Sequence, residues 1–287
     1  MAETLLKVRD LSKAFKLPSN SLFMRKASYN QAVNHVSFDV LKGESLGIVG
    51  ESGCGKSTMA RLITQLIKPT SGEIIYEGQN LAQLNKNQLH HFRRDIQMVF
   101  QNPYATLDPR KRIISLLTEP LVIHGIGTKK EREKQALDML VKVGLKPEHA
   151  ERYPHEFSGG QRQRINIARA LMLKPKIIIC DEAVSALDVS VQSQVLNLLN
   201  QLQDEFKLTY IFISHDLNVV RYFCDRIAVM YYGNLVEMGS ADEIYSHPKE
   251  DYTKKLLSAI PSDSPFERKL GTLDEQINNG DGETHEK

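Results

Sequence analysis

Apolar and polar residues change period several times along this chain. Leu5 to Val8 and Val36-Ser37-Phe38-Asp39-Val40 follow the two-residue period of strands, the second ahead of a turn at Lys42-Gly43-Glu44. Between them the polar stretch Lys16 to Gln31, which contains Pro18, predicts a loop or hairpin excursion. Ser45-Leu46-Gly47-Ile48-Val49 is a short apolar run of the kind that fills a parallel strand buried on both faces, and it leads directly into glycines. From Lys56 to Ile67 the residues Met59, Leu62, Ile63, Leu66 and Ile67 share one helix face, and Pro69 predicts the end of that helix.

Helical spacing dominates the middle of the chain, about Leu107 to Pro154, where Ala136, Leu137, Leu140 and Val141 recur on one face and Gly144 suits a C-cap. Strand candidates Ile96 to Phe100, Ile177 to Cys180 and Thr209 to Ser214 alternate with helical stripes such as Val195, Leu198, Leu199, Leu202 and Phe206. This alternation predicts an α/β fold whose mostly parallel sheet is covered on both faces, with a helical segment inserted in it. Ile227 to Tyr232, Gly233-Asn234 and Leu235 to Met238 predict a hairpin, and Ser240 with Glu243 a capping box for a following helix. Beyond Pro261 the chain turns polar, with Asn278-Asn279-Gly280-Asp281-Gly282, and a frayed tail is expected; no internal repeat is visible.

Composition narrows the classes. The 287 residues are 41% hydrophobic and 25% charged, the profile of an ordinary globular protein. A net charge of +2 excludes a strongly basic nucleic-acid or membrane-surface protein, so any polyanion must be held locally. The apolar stretch Ile113 to Ile126 is interrupted by Thr118, Glu119, Pro120 and His124 and is too short to cross a bilayer. The first residues lack a secretory pattern, which leads us to expect a cytosolic chain. Cys54, Cys180 and Cys224 are far apart and odd in number, so reduced thiols are expected and zinc-type spacing is missing.

The candidate chemistry sits at two strand ends. Gly50-Glu51-Ser52-Gly53-Cys54-Gly55-Lys56-Ser57, followed by Thr58, fits G-x-x-x-x-G-K-[ST] between a predicted strand and helix. Backbone N–H groups and a helix N-terminus there favour phosphate oxygens, Lys56 reaches the β- and γ-phosphates, and the Ser57 hydroxyl suits Mg²⁺. Ile177 to Cys180 ends in Asp181, placed to hold Mg²⁺, and Glu182, placed to polarise an attacking water. These two motifs leave a GTPase, a small-molecule kinase and a motor all open. Ser158-Gly159-Gly160 with Gln161, ahead of a helix whose Ile165, Ala168 and Leu171 face inward, forms a second anion-binding helix start. Two such starts with one nucleotide site point to a second nucleotide belonging to a partner.

Phe157-Ser158-Gly159-Gly160-Gln161-Arg162-Gln163-Arg164 resembles the signature sequence of ATP-binding cassette (ABC) ATPases, with Phe in place of the usual leading Leu. The resemblance covers about Leu5 to Pro261. It implies that Gln101 is the Q-loop glutamine that touches Mg²⁺ and the attacking water, that Ser185-Ala186-Leu187-Asp188 is the D-loop at a dimer interface, that His215 is the γ-phosphate-sensing switch histidine, and that Phe15 stacks on adenine. It also implies an ABC-type P-loop NTPase fold: a core with an antiparallel N-terminal β-subdomain (1–105 and 157–240), a helical signature subdomain (106–156), a C-terminal helical extension (241–262) and a polar flexible tail (263–287).

Finer features are similar to the ATPases of oligopeptide, dipeptide and nickel uptake systems: Gln101 to Arg110, Tyr153-Pro154-His155-Glu156-Phe157, Ser185 to Gln192, His247-Pro248 and Tyr252-Thr253. Many members continue into a cysteine-bearing tail associated with an iron–sulfur cluster; no cysteine follows Cys224, so none is expected. Relatives with the shorter tail include some linked to antimicrobial-peptide handling, which leaves the substrate open. The resemblance implies a peripheral subunit on the cytoplasmic side of the cell (inner) membrane that hydrolyses ATP with Mg²⁺. Its implied partners are two integral membrane permease subunits, a second identical or related ATPase and, indirectly, a substrate-binding protein, with no nucleic acid. In the implied dimer each ATP lies between Lys56 and Ser57 of one chain and Ser158 and Gly160 of the other. The alternative is a soluble ABC ATPase of DNA repair or translation. Gln101 and Ser158 enclose no sustained heptads, however, and the chain carries one cassette where translation-type members usually carry two.

Overall fold

Strand β3 (Ser45–Val49) is buried along its whole length, which is why its residues show no polar face. It lies in the middle of a six-stranded sheet. The computed structural model describes residues 3–17, 29–101 and 106–259. In chain order the elements are β1 (Thr4–Lys16), β2 (Tyr29–Leu41), β3, α1 (Lys56–Ile63), β4 (Ser71–Tyr76), β5 (Gln79–Asn80), α2 (Lys86–Asp95), β6 (Ile96–Val99), α3 (Ile113–Ile123), α4 (Lys129–Lys142), α5 (Gly159–Leu171), β7 (Ile177–Asp181), α6 (Val189–Phe206), β8 (Thr209–Ser214), α7 (Leu217–Phe223), β9 (Arg226–Tyr231), β10 (Asn234–Ser240), α8 (Ala241–Ser246) and α9 (Asp251–Ser258). Strands β6, β7, β8, β3 and β9 run parallel, and β10 closes one edge antiparallel to β9.

Alternate residues of the central strands feed two cores. Ile178 and Cys180 of β7 and Tyr210 and Phe212 of β8 pack with α3 to α7. Ile177, Ile179, Ile211 and Ile213 point the other way, against α1 and the second sheet, ordered β2-β1-β4-β5. A strand apolar on both faces has no solvent side, so the parallel sheet predicted from the unbroken apolar runs follows directly. That second sheet is antiparallel throughout.

Several boundaries differ from the expectation. The polar stretch Lys16 to Gln31 was expected to be a loop or hairpin excursion; β1 reaches Lys16 and β2 begins at Tyr29, paired antiparallel as in a hairpin, while residues 18–28 lie outside the described residues. The pairing of β1 with β2 shifts register four times, and Asp10 and His35 take positive φ. Each such bulge breaks the alternation, so a period-two reading finds only fragments of these strands. Helix α1 ends at Ile63, four residues before the predicted Ile67. Gln65 takes φ +56, and the N–H groups of Leu66 and Ile67 both turn back to the Arg61 carbonyl at 2.9 and 3.2 Å. The chain reverses there towards β4, leaving Leu66 exposed. The region about Leu107 to Pro154 is helical in pieces, α3 and α4, followed by short 3₁₀ turns at Pro147–Glu151 and Pro154–Glu156. Gly144, at φ +74, follows the end of α4 as a C-cap glycine does. The polar tail beyond Pro261 lies outside the described residues. Among the described residues no helix is long and apolar enough to cross a membrane.

The start of β3 is tied to its neighbours by charge. The carboxylate of Glu44 accepts the Leu41 N–H at 2.6 Å and pairs with the Arg226 guanidinium of β9 at 3.1 Å, and its carbonyl accepts the Tyr210 N–H of β8 at 2.9 Å. Glu44 is nearly buried whereas Arg226 keeps some solvent contact, so removing the carboxylate strands a guanidinium that water can partly serve. Glu44→Ala is expected to lower stability by about 2 kcal/mol, read as a lower urea midpoint with an unchanged slope.

Candidate functional site

Register brings the motifs together. Val49 at the end of β3 lies opposite Ser214 of β8, Ile213 opposite Asp181 of β7, and Cys180 opposite Val99 of β6. Each of the four carboxyl ends therefore lies within one residue of its neighbour's, and Gly50, Gln101, Glu182 and His215 each leave the sheet within two residues of an end. A crevice beyond the carboxyl ends of parallel strands is where such sheets bind ligands.

The loop from Gly50 to Gly55 passes close to two other backbones. A side chain on Gly50 would meet the Met230 carbonyl oxygen at 2.2 Å and one on Gly55 the Ala32 carbonyl oxygen at 2.1 Å, and both residues have positive φ, 149° and 111°. Lys56 opens α1 and is only 5% exposed. Its ammonium donates to the carbonyls of Gly50 (2.7 Å) and Glu51 (2.9 Å) and lies 3.7 Å from Cys54 Sγ. Those acceptors keep a buried cation within the loop. Burial pushes the Cys54 thiol up, with Lys56 opposing the shift.

Ser57 Oγ donates to Asp181 Oδ1 at 3.0 Å. Burial raises the Asp181 carboxyl, the Ser57 hydrogen bond lowers it, and the neighbouring Glu182 charge raises it again. Glu182 has φ +51, a left-handed conformation uncommon for a residue with a side chain, while its N–H still donates to Ile213 at 2.9 Å. Around its carboxylate, Gln101 Nε2 donates to Oε2 at 2.8 Å and His215 Nδ1 lies 3.5 Å from Oε1. Ser185 completes the cluster: its hydroxyl accepts from Gln101 at 3.3 Å and donates to the Glu182 carbonyl at 3.0 Å.

A cavity of about 250 Å³ opens beside this cluster, lined by Phe15, Asn30, Ala32, Ser52, Gly53, Gly55, Lys56, Ser57, Thr58 and Glu182. Phe15 is 40% exposed, with the Lys13 ammonium 5.2 Å from its ring centre. Ser158, Gly159, Gly160, Gln161 and Asp188 are absent from that lining. Ser158 caps α5 in a reciprocal pair with Gln161 (3.3 and 3.1 Å), and Gly159 and Gly160 begin the helix. Asp188 caps α6 by accepting the Val191 N–H at 3.0 Å, a bond that holds its carboxyl below the usual range. Asn30, Ala32 and Tyr252, whose hydroxyl meets the Glu51 N–H at 3.1 Å, were not singled out as site residues from the sequence. In the sequence Tyr252 figures only in Tyr252-Thr253, as part of the resemblance to the peptide-uptake branch.

The donors present suit a hard divalent cation. Ser57 Oγ and the Asp181 carboxylate are adjacent oxygen donors, with the Gln101 amide and Glu182 close by, and a half-buried carboxylate whose proton affinity is raised would gain from a cation beside it.

A family model described as ABC transporter matches residues 33–185. The oligopeptide transport ATP-binding protein AppF of Bacillus subtilis is 54% identical over 260 residues, 90% of this chain and 79% of that protein. The di/tripeptide transport ATP-binding protein DppF of Pseudomonas aeruginosa is 51% identical over 263 residues, 92% of this chain and 81% of that protein. Among solved structures, the dimeric post-hydrolysis state of the ATP-binding cassette MJ0796 bound to ADP and Pi matches with a TM-score of 0.71 at 31% identity, covering 83% of this chain and 99% of that one.

Gly55→Ala tests the loop directly. Its methyl group collides with the Ala32 carbonyl, so nucleotide affinity measured with a fluorescent ADP is expected to fall more than about tenfold, an energy of about 1.4 kcal/mol or more, with helical circular dichroism retained.

Proposed function

The chain belongs to the ABC transporter family, and from that premise we propose that it is the ATP-hydrolysing subunit that powers import of peptides or similar small substrates through two integral membrane permease subunits. It works as a peripheral subunit on the cytoplasmic face of the cell (inner) membrane, paired with a second ATPase chain, identical or related, and served indirectly by a substrate-binding protein. The observation that carries this reading is the convergence of Lys56, Ser57, Asp181, Gln101, Glu182 and His215 at one sheet edge.

Each group has a role that its surroundings support. Lys56 and the backbone N–H groups of Gly53 to Ser57, with Thr58, bind the β- and γ-phosphates, and Phe15 offers its exposed ring to the adenine. Ser57, Asp181 and Gln101 would hold Mg²⁺, which neutralises phosphate charge when bound. Glu182 accepts a proton from water as the water oxygen bonds to the γ-phosphorus and the bond to the bridging oxygen breaks. Gln101 and His215 flank its carboxylate and hold it in place. Ser158, Gly159, Gly160, Gln161 and Asp188 belong to a neighbouring copy's nucleotide, in keeping with their absence from the lining of the cavity around Lys56. Closure of two chains over two nucleotides then depends on phosphate charge at both helix N-termini, and loss of the γ-phosphate reopens them.

A groove of about 490 Å³ between α2, β6, α3 and α5, with Leu66, Phe100 and Ile123 exposed along it, is the surface through which this opening passes to the permease. The domain boundaries proposed from the sequence, 1–105 with 157–240, 106–156, 241–262 and 263–287, place the groove where the core meets the helical segment.

Phosphate release from the chain assembled with its co-purifying permease subunits tests the reading. Glu182→Gln is expected to lower turnover by about 10²- to 10⁴-fold while nucleotide binding persists and dimers accumulate by light scattering; unchanged turnover removes Glu182 from its role. Lys56→Ala is expected to lose ATP binding, and retention of full affinity there would refute the phosphate-loop assignment.

A further inference from the structure

We propose that Tyr252 is a positioning residue for the phosphate loop, through which the segment Lys249 to Ser258 and the bound nucleotide influence each other. This rests on reading Gly50 to Ser57 as that loop. The peptide unit joining Gly50 to Glu51 is gripped at both ends: its oxygen accepts the Lys56 ammonium at 2.7 Å, and its N–H donates to the Tyr252 hydroxyl at 3.1 Å. A peptide is planar and rigid, so the two bonds cannot adjust independently. Rotation of the plane towards or away from Tyr252 moves the oxygen that anchors Lys56.

The tyrosine is itself fixed. Its ring lies 4.0 Å from that of Tyr231 at the end of β9, which in turn sits 4.6 Å from Tyr232. The next residue, Gly233, donates its N–H to the Cys54 carbonyl at 2.9 Å, so the loop is tied a second time from the β9–β10 turn. Helix α9 is held at its start by Glu237 of β10, whose two carboxylate oxygens accept the N–H groups of Lys249 (2.8 Å) and Glu250 (3.1 Å). An unbroken set of bonds and ring contacts thus runs from β10 through α9 and Tyr252 to Lys56. An equilibrium coupling of this kind is reciprocal: if α9 favours a loop that binds nucleotide, nucleotide favours the docked α9.

Tyr252→Phe removes one hydroxyl and keeps the ring. In the full chain it is expected to weaken Mg·ADP binding about three- to tenfold. Hydrogen exchange supplies the second measurement. Mg·ADP is expected to slow exchange across residues 249–258 of the unmodified chain and to leave that segment unchanged in Tyr252→Phe, with β3 and β8 exchanging alike in both. Wild-type affinity in Tyr252→Phe, the same nucleotide-induced slowing of 249–258 in both chains, or faster exchange throughout the core of the variant would each overturn the assignment. Lys56→Ala measured in parallel separates the two readings. Full affinity there defeats the loop assignment itself, whereas lost affinity there with unaltered Tyr252→Phe defeats only the role of Tyr252.

Discussion

Nearly level strand ends are the constraint on which the rest of the structure depends. β6, β7, β8 and β3 pair in parallel so that Val49 finishes opposite Ser214, and Asp181 and Val99 finish within one residue of their neighbours' ends. Groups far apart in sequence then need only one or two further residues to meet. A one-residue slip of β7 against β8 would turn Ile177 and Ile179 out of one core and into the other. It would also carry Asp181 away from Ser57, so the packing that stabilises the sheet is the same packing that holds the chemistry in place.

Within that frame the site concentrates charge that the whole chain lacks. A net charge of +2 over 287 residues gives no long-range attraction for a polyphosphate. Attraction arises within a few ångströms of the loop, from one buried ammonium, the start of α1 and backbone N–H groups, and the low-dielectric surroundings strengthen each of them. The acidic side is balanced in the same manner: Asp181 and Glu182 are consecutive carboxylates at a strand end, and the hydroxyl of Ser57 and the amide of Gln101 offer them hydrogen bonds.

Much of this was legible in the sequence because its signals are local. Gly50 to Ser57, Ile177 to Glu182 and the apolar run of β3 each carry their meaning within ten residues. Ser240 and Glu243 likewise form the capping box that their spacing foretells. What escaped was set by distant packing. The bulges of β1 and β2 interrupt alternation, and the apolar stripe of α1 continues past the point where Gln65 turns the chain. Helix α2 has only one buried residue, Phe92, so it offers no stripe to detect. Ser185 was placed in the D-loop, but its bond to Gln101, like that of Tyr252 to the Glu51 N–H, joins residues 84 and 201 positions apart, and no periodicity encodes such pairs.

The lysine bonds within the loop also set which cation the position accepts. Two of the three ammonium protons of Lys56 already point at the carbonyls of Gly50 and Glu51, a convergent arrangement that a tetrahedral centre makes at no cost in shape. A guanidinium carries the same charge on a larger, flat group whose donors are fixed in one plane, and position 56 is almost closed to solvent at 5% exposure. Position 56 is therefore a socket for an amine, and an arginine there would conserve the charge while losing the loop.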